Sequence, residues 1–226
     1  FTMLGDGTAY AERGLLPRSL AFLFHEMGNR PEYDYRVRFS CLEIHNESMY
    51  DLLSTLPGAD KAELSISELK GVVSVKGLSS PEVASEEEAL KVLVEAATNR
   101  AVSAHQLSAR ASRSHVIYTV HVERRSRVES NSAVVTARLH MVDLAGSERL
   151  KKSTFGAADE VPLTGGALRA RQQLAREAMS INKSLSFLEQ VVLAMSSRSR
   201  STHVPHRSSR LTTVLRDAIG GRCRTT

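Results

Sequence analysis

Hydrophobic residues in this chain recur at two different intervals, and the switch between them restricts the fold to layers of helices and strands. Val37, Phe39 and Cys41 alternate with Arg36, Arg38 and Ser40 before the run continues into Glu43 and Ile44. Val116, Tyr118, Val120 and Val122 alternate in the same way with Ile117, Thr119 and His121. A period of two places successive side chains on opposite faces of a strand. After the polar connector RRSRVESNSA, the segment VVTARLHMVDLAG reads as another strand, antiparallel to the last, ending at Asp143 ahead of Gly146. Elsewhere the period lengthens. Leu174, Ala178, Ile181, Leu185, Leu188, Val192 and Met195 recur at steps of four and three, which predicts one apolar stripe on a long helix between Leu168 and Ser196, packed on the sheet. Residues 14–28 read as a helix with Pro17 in its first turn and Gly28 as its stop. Gly58, Gly71 and Gly77 punctuate short strands and turns. A further helix follows within 79–100, started either by a Ser79–Glu82 capping box or by Ser85 with Glu88. The fold class is α/β.

The 226 residues, 42% of them apolar, are enough for a sizeable core. The net charge of +5 averages two unlike halves: to Arg113 there are 12 basic and 16 acidic residues, and after it 18 and 9. A basic C-terminal half points to an acidic partner. Cys41 and Cys223 have neither metal-ligand nor CxxC spacing, so no disulfide framework is indicated and a reducing compartment fits. No apolar run reaches membrane-spanning length, and internal repeats are not visible. The opening FTMLGDGTAY has no initiator Met and no signal-peptide pattern, so the chain is expected to start inside a larger protein.

SRSH at 112–115, VDLAGSE at 142–148, and INKSLSFLEQVVLAM followed by HVPHRSSRLTTVLRDAIGG resemble, in order and spacing, switch I, switch II and the long microtubule-facing helix, loop and next helix of the kinesin motor domain. YRVRFSCLEIHNESMYDLL, VKGL at 75–78 and NR at 99–100 extend the likeness over essentially the whole chain. SLSFLEQ and HNESMYDLLSTLPG look most like the kinesin-9 group, associated with cilia and flagella. The resemblance implies a P-loop NTPase motor fold with a central mixed β-sheet flanked by helices. Residues 1–226 would form a partial motor domain, with switch I near 108–115, switch II at 142–148 and a microtubule-facing region at about 149–219. It would be incomplete at both ends, beginning just after the phosphate-binding loop and stopping before the next core strand.

The implied activity is ATP hydrolysis coupled to microtubule binding or movement, with ATP/ADP and Mg2+ as cofactors. Such chemistry depends on positioning a water and compensating charge on the transferred phosphoryl group. The resemblance gives Ser112 a hydroxyl role near magnesium and the γ-phosphate, Asp143 a role in the magnesium water shell, and the Gly146 N–H contact with the γ-phosphate. Arg113 would pair with Glu148 and organise the attacking water; opposite charges on two loops couple their closure. His115 is expected to be a buried, hydrogen-bonded imidazole rather than a general base. Lys151, Lys152, His203, Arg207 and Arg210 fall on segments that face acidic tubulin in kinesins, which implies salt-dependent association.

Several residues depart from the family pattern. Ser108 and Ala111 stand where kinesins usually carry Asn and Ser, and losing a water-placing hydroxyl lowers the rate. Lys151 replaces a common glycine, and the following loop is long. His206, Ser208 and Arg210 stand for Tyr, Asp and Lys. These departures open a second reading, a catalytically weak or inactive structural protein anchored on microtubules. The implied location is the cytoplasmic cytoskeleton, in particular the axoneme of a cilium or flagellum. Self-association, coiled coil or axonemal partners would come from segments outside the chain. Nucleic acid is not an expected partner, because no zinc-finger, RRM or KH spelling accompanies the basic charge, and neither is a membrane.

Overall fold

The computed structural model describes residues 2–5, 10–54, 64–69, 71–106, 113–128, 133–146, 165–196, 203–220 and 223–226. Helix α1 (Leu15–Gly28) leads into strand β1 (Tyr33–His45) and β2 (Ser48–Asp51). A small hairpin follows, β3 (Ser65–Leu69) with β4 (Val72–Lys76), then helix α2 (Glu86–Gln106). Strands β5 (His115–Ser126) and β6 (Val135–Asp143) precede the long helix α3 (Gly165–Ser196) and the short α4 (Arg210–Val214).

The main sheet has the order β2-β1-β5-β6, and each neighbouring pair is antiparallel. Among the described residues the sheet is therefore antiparallel throughout, where a mixed sheet was expected. Its pairings join strands that run in opposite directions, beginning with the β1–β2 hairpin. There Asn46 and Glu47 both take positive φ, 51° and 60°, the conformation that lets a two-residue turn follow the strand twist. In the register Val116 lies opposite Asp143, Ile44 opposite His115, and Phe39 opposite Val120.

Alternation resolves into two apolar layers. Val37, Phe39 and Cys41 with Val116, Tyr118 and Val120 face Leu16 and Leu20 of α1 and Ala89, Leu93 and Ala96 of α2. Leu42, Ile44 and Ile117 point the other way, into a second cluster with Met49, Leu64, Leu211 and Leu215, packed by Leu188 of α3. The first six residues of β5 are accordingly buried on both faces, rather than on one as its alternation suggested.

Of the two possible starts for α2, the structure takes the later. Ser85 Oγ accepts from the Glu88 N–H at 3.2 Å, and Glu88 Oε2 accepts from the Ala84 N–H at 2.7 Å. Residues 81–83 instead hydrogen-bond to β1, with the Phe39 N–H donating to the Pro81 carbonyl and the Val83 N–H to that of Val37. Ser79 offers only its backbone N–H, to Asp51 Oδ2 at 2.9 Å. Ser85→Ala is thus expected to cost about 1 kcal/mol in a urea titration, and Ser79→Ala less than about 0.5 kcal/mol.

The buried stripe of α3 also differs from the expected one. Ile181, Ser184 and Val191 are buried and Leu188 is half-buried, while Val192 and Met195 of the apolar pattern are exposed. The side chains of Leu174 and Ala178, and the turn at Gly58, lie outside what is described. The stripe passes through a serine because that hydroxyl is fully hydrogen-bonded inside the molecule, as described below.

Candidate functional site

The ends of β5 and β6 converge on one point. Pairing of Val116 with Asp143 brings residues 113–115, at the start of β5, beside residues 143–146, where β6 gives way to coil. Arg100 reaches this junction from α2. Its Nη1 donates to Asp143 Oδ2 at 2.7 Å and its Nη2 donates to the Ser114 carbonyl at 3.3 Å, so one guanidinium holds both segments. Its side chain is only 16% exposed, which makes the pair stronger than a surface ion pair and costly to break. The preceding residue, Asn99, serves the frame by donating to the Leu52 carbonyl at 2.7 Å.

His115 ties the same junction to α3. The Ala145 N–H donates to Nδ1 at 3.1 Å, and Nε2 lies 2.8 Å from Ser184 Oγ. Ser184 Oγ donates its only proton to the Ile181 carbonyl at 2.8 Å, so towards the ring it accepts. Nε2 therefore carries the imidazole proton and Nδ1 the lone pair. Burial pushes the His115 pKa down to about 4, against a smaller opposing pull from Asp143. The ring is neutral and has no spare site for proton transfer, as expected of a structural imidazole.

Of the nucleotide-site residues expected from sequence, Arg113, Asp143 and Gly146 are described, and the strand ends place them together. Ser112 and Glu148 lie outside the described residues, and so does the Arg113–Glu148 pair. Ser108 and Ala111 are outside as well. Arg100 and Ser184 were not among the expected site residues. NR at 99–100 was the available signal for the first; no apolar pattern marks the second.

Of the expected tubulin-facing residues, His203, Arg207 and Arg210 follow α3 in the chain. Lys151 and Lys152 are outside the described residues. His203 is exposed, and so is Arg207, whose side chain is 77% exposed while its Nη2 donates to Glu68 Oε2 at 2.8 Å. Glu68, on β3, also pairs with Arg216 at 2.9 Å, and hydrogen bonds from Arg216 and then Arg207 hold its carboxyl below the usual range. The Val73 N–H donates to Asp217 Oδ2 at 3.2 Å, so the β3–β4 hairpin is fastened to the segment after α4 by both backbone and side chains. Arg210 is exposed at the first turn of α4; its backbone N–H donates to Glu47 Oε2 at 2.8 Å. A reciprocal Ser209–Thr212 cap starts that helix.

The family model described as the kinesin motor domain matches residues 1–226. The chain belongs to the kinesin motor domain family. It is 44% identical over 225 residues to kinesin-like protein KLP1 of Chlamydomonas reinhardtii, covering 100% of this chain and 27% of that protein. It is 41% identical over 225 residues to kinesin-like protein KIF9 of Homo sapiens, covering 99% of this chain and 26% of that protein. Both relatives are kinesin-9 group members. The chain thus spans about a quarter of the length of these relatives. Among solved structures, a fast kinesin studied for its ATPase mechanism and interactions with microtubules aligns at TM-score 0.80 and 33% identity, covering 100% of this chain and 58% of that one.

Kinesin motor domains bind nucleotide with Mg2+ and bind microtubules. The donor set at the β6 exit suits an indirect role towards such a metal. Arg100 occupies Asp143 Oδ2 and leaves Oδ1, among the described residues, without a partner. Among those residues no group of three or more His, Cys, Asp or Glu is gathered to ligate a metal directly. One open carboxylate oxygen, held in place by an arginine, fits acceptance from a metal-bound water.

Proposed function

We propose that this kinesin chain is the switch-bearing and microtubule-facing part of an ATP-driven motor of the kinesin-9 type, acting on the microtubules of cilia or flagella. The observation that carries the reading is the Arg100 bridge, which joins Asp143 of the VDLAGSE segment to Ser114 of the SRSH segment. Magnesium and nucleotide supply the charge and the phosphoryl group. The chain's own residues would position and sense them: Asp143 would help hold the metal through its water shell, Ser112 would offer a hydroxyl, and the Gly146 N–H would donate to the γ-phosphate. Arg113 with Glu148 closes the two loops and orders the attacking water. His203, Arg207 and Arg210, with Lys151 and Lys152, meet acidic tubulin. Arg207 would do so while restrained by Glu68.

Phosphate release by the full-length protein, with and without polymerised tubulin, tests the reading. Turnover stimulated by microtubules and weakened by added salt is the expected result. No turnover in either condition, with cosedimentation insensitive to nucleotide, would replace it with the anchor reading that Ser108 and Ala111 favour. No binding to microtubules at all would reject both.

A further inference from the structure

We propose that His115 is a positioning residue that couples the backbone at Ala145 to helix α3 through Ser184. This rests on the motor reading above and names the contact by which the nucleotide-facing junction communicates with the microtubule-facing helix. The hydrogen bonds form a chain with one direction only: Ala145 N–H to Nδ1, Nε2–H to Ser184 Oγ, and Oγ–H to the Ile181 carbonyl. Each donor has a single acceptor, so a shift of the β6 exit pulls on the ring and the ring pulls on α3. All three residues are buried, with His115, Ala145 and Ser184 at 3%, 6% and 3% exposure, so water does not readily replace a broken link.

The receiving element is suited to carry the displacement. Helix α3 has 32 residues, about 48 Å at 1.5 Å per residue. One turn beyond Ser184, Leu188 packs on the cluster that contains Leu211 and Leu215, next to Arg210. A packed route therefore runs from Ala145 through His115, Ser184 and Leu188 to the residues beside Arg210, along which a displacement can be carried.

The two amide replacements divide the bridge. Asparagine places an oxygen near the position of Nδ1, and glutamine places an amide nitrogen near that of Nε2. His115→Asn therefore keeps the Ala145 link and loses the Ser184 link, as does Ser184→Ala; His115→Gln does the reverse. In the full-length protein, the ratio of microtubule Kd with ADP to that with a non-hydrolysable ATP analogue is the readout, with thermal unfolding used to confirm folding. The ratio should fall at least fivefold in H115N, S184A and H115Q. The double variant H115N/S184A should be no worse than either single one, because both cut the same link. A ratio within twofold of the parent in folded S184A, or additive losses in the double variant, would overturn the coupling role. A parent protein whose ratio is already one would instead sink the motor reading, and this inference with it.

Discussion

In the full-length protein, given the proposed motor function, Arg100→Ala is expected to lower microtubule-stimulated ATP turnover by roughly two orders of magnitude, the scale of loss when a reacting geometry is no longer held. The guanidinium spans Asp143 Oδ2 and the Ser114 carbonyl, so its removal frees both segments at once. It also leaves the Asp143 carboxylate, 33% exposed, without its cation, and breaking a partly buried pair costs up to about 3 kcal/mol. Arg100→Lys separates the two contributions. Lysine keeps the charge but offers no planar fork for two divergent acceptors, so stability should largely recover while turnover remains at least tenfold low. Phosphate-release rates and urea midpoints measured on the same samples check this. Recovery of both by lysine would mean that only charge matters at the junction.

Acidification between pH 6.5 and 4 is expected to destabilise the protein before its carboxylates are fully protonated. Burial, with a smaller opposing effect of Asp143, brings His115 down to about 4; burial, then Arg138, Arg38 and His140, brings His121 to a similar value against Glu123. Above pH 6.5 both rings are neutral whether folded or not, and they contribute no pH dependence. As pH falls through 6.5 the unfolded chain binds protons that the folded chain refuses, so stability declines until about pH 4, where the folded rings also charge. The shift at His115 corresponds to about 3 kcal/mol, and His121 contributes less because its ring is partly exposed to solvent. A typical domain has about 5–15 kcal/mol in total, so the urea midpoint should drop markedly from pH 7 to pH 4.5. His121→Asn should flatten part of that slope. An unchanged midpoint between pH 6.5 and 5 would contradict the buried neutral state of both rings.

Periodicity and motif order made the frame legible. The helix at 15–28, the strands ending at His45 and Asp143 and the long helix to Ser196 all follow from spacing, and the family follows from the switch-like segments. What spacing missed was polar. Ser184 interrupts an apolar stripe, yet it is buried because its hydroxyl satisfies a histidine some 70 residues earlier in the chain. Arg100 is one arginine among many until the β5–β6 register sets Asp143 beside Val116. Pairings of that kind depend on tertiary neighbours and leave no periodic trace. The choice between Ser79 and Ser85 as a cap likewise turned on β1, which recruits residues 81–83 by hydrogen bonding.

The beginning of α1 is capped without a side chain. Carbonyls of Thr2, Met3 and Leu4 accept from the N–H groups of Leu15, Leu16 and Gly14 at 2.9, 2.9 and 3.0 Å, and Gly14 makes no side-chain cap. The backbones approach so closely that a Cβ on Gly14 would lie 2.4 Å from the Met3 carbonyl oxygen, and one on Gly5 2.1 Å from that of Glu12. The backbone cap therefore depends on vacancy rather than on a capping group: residues 2–4 supply carbonyls, and the two glycines leave the space for the close approach. A search for Ser, Thr, Asp or Asn before the helix will pass over such a joint.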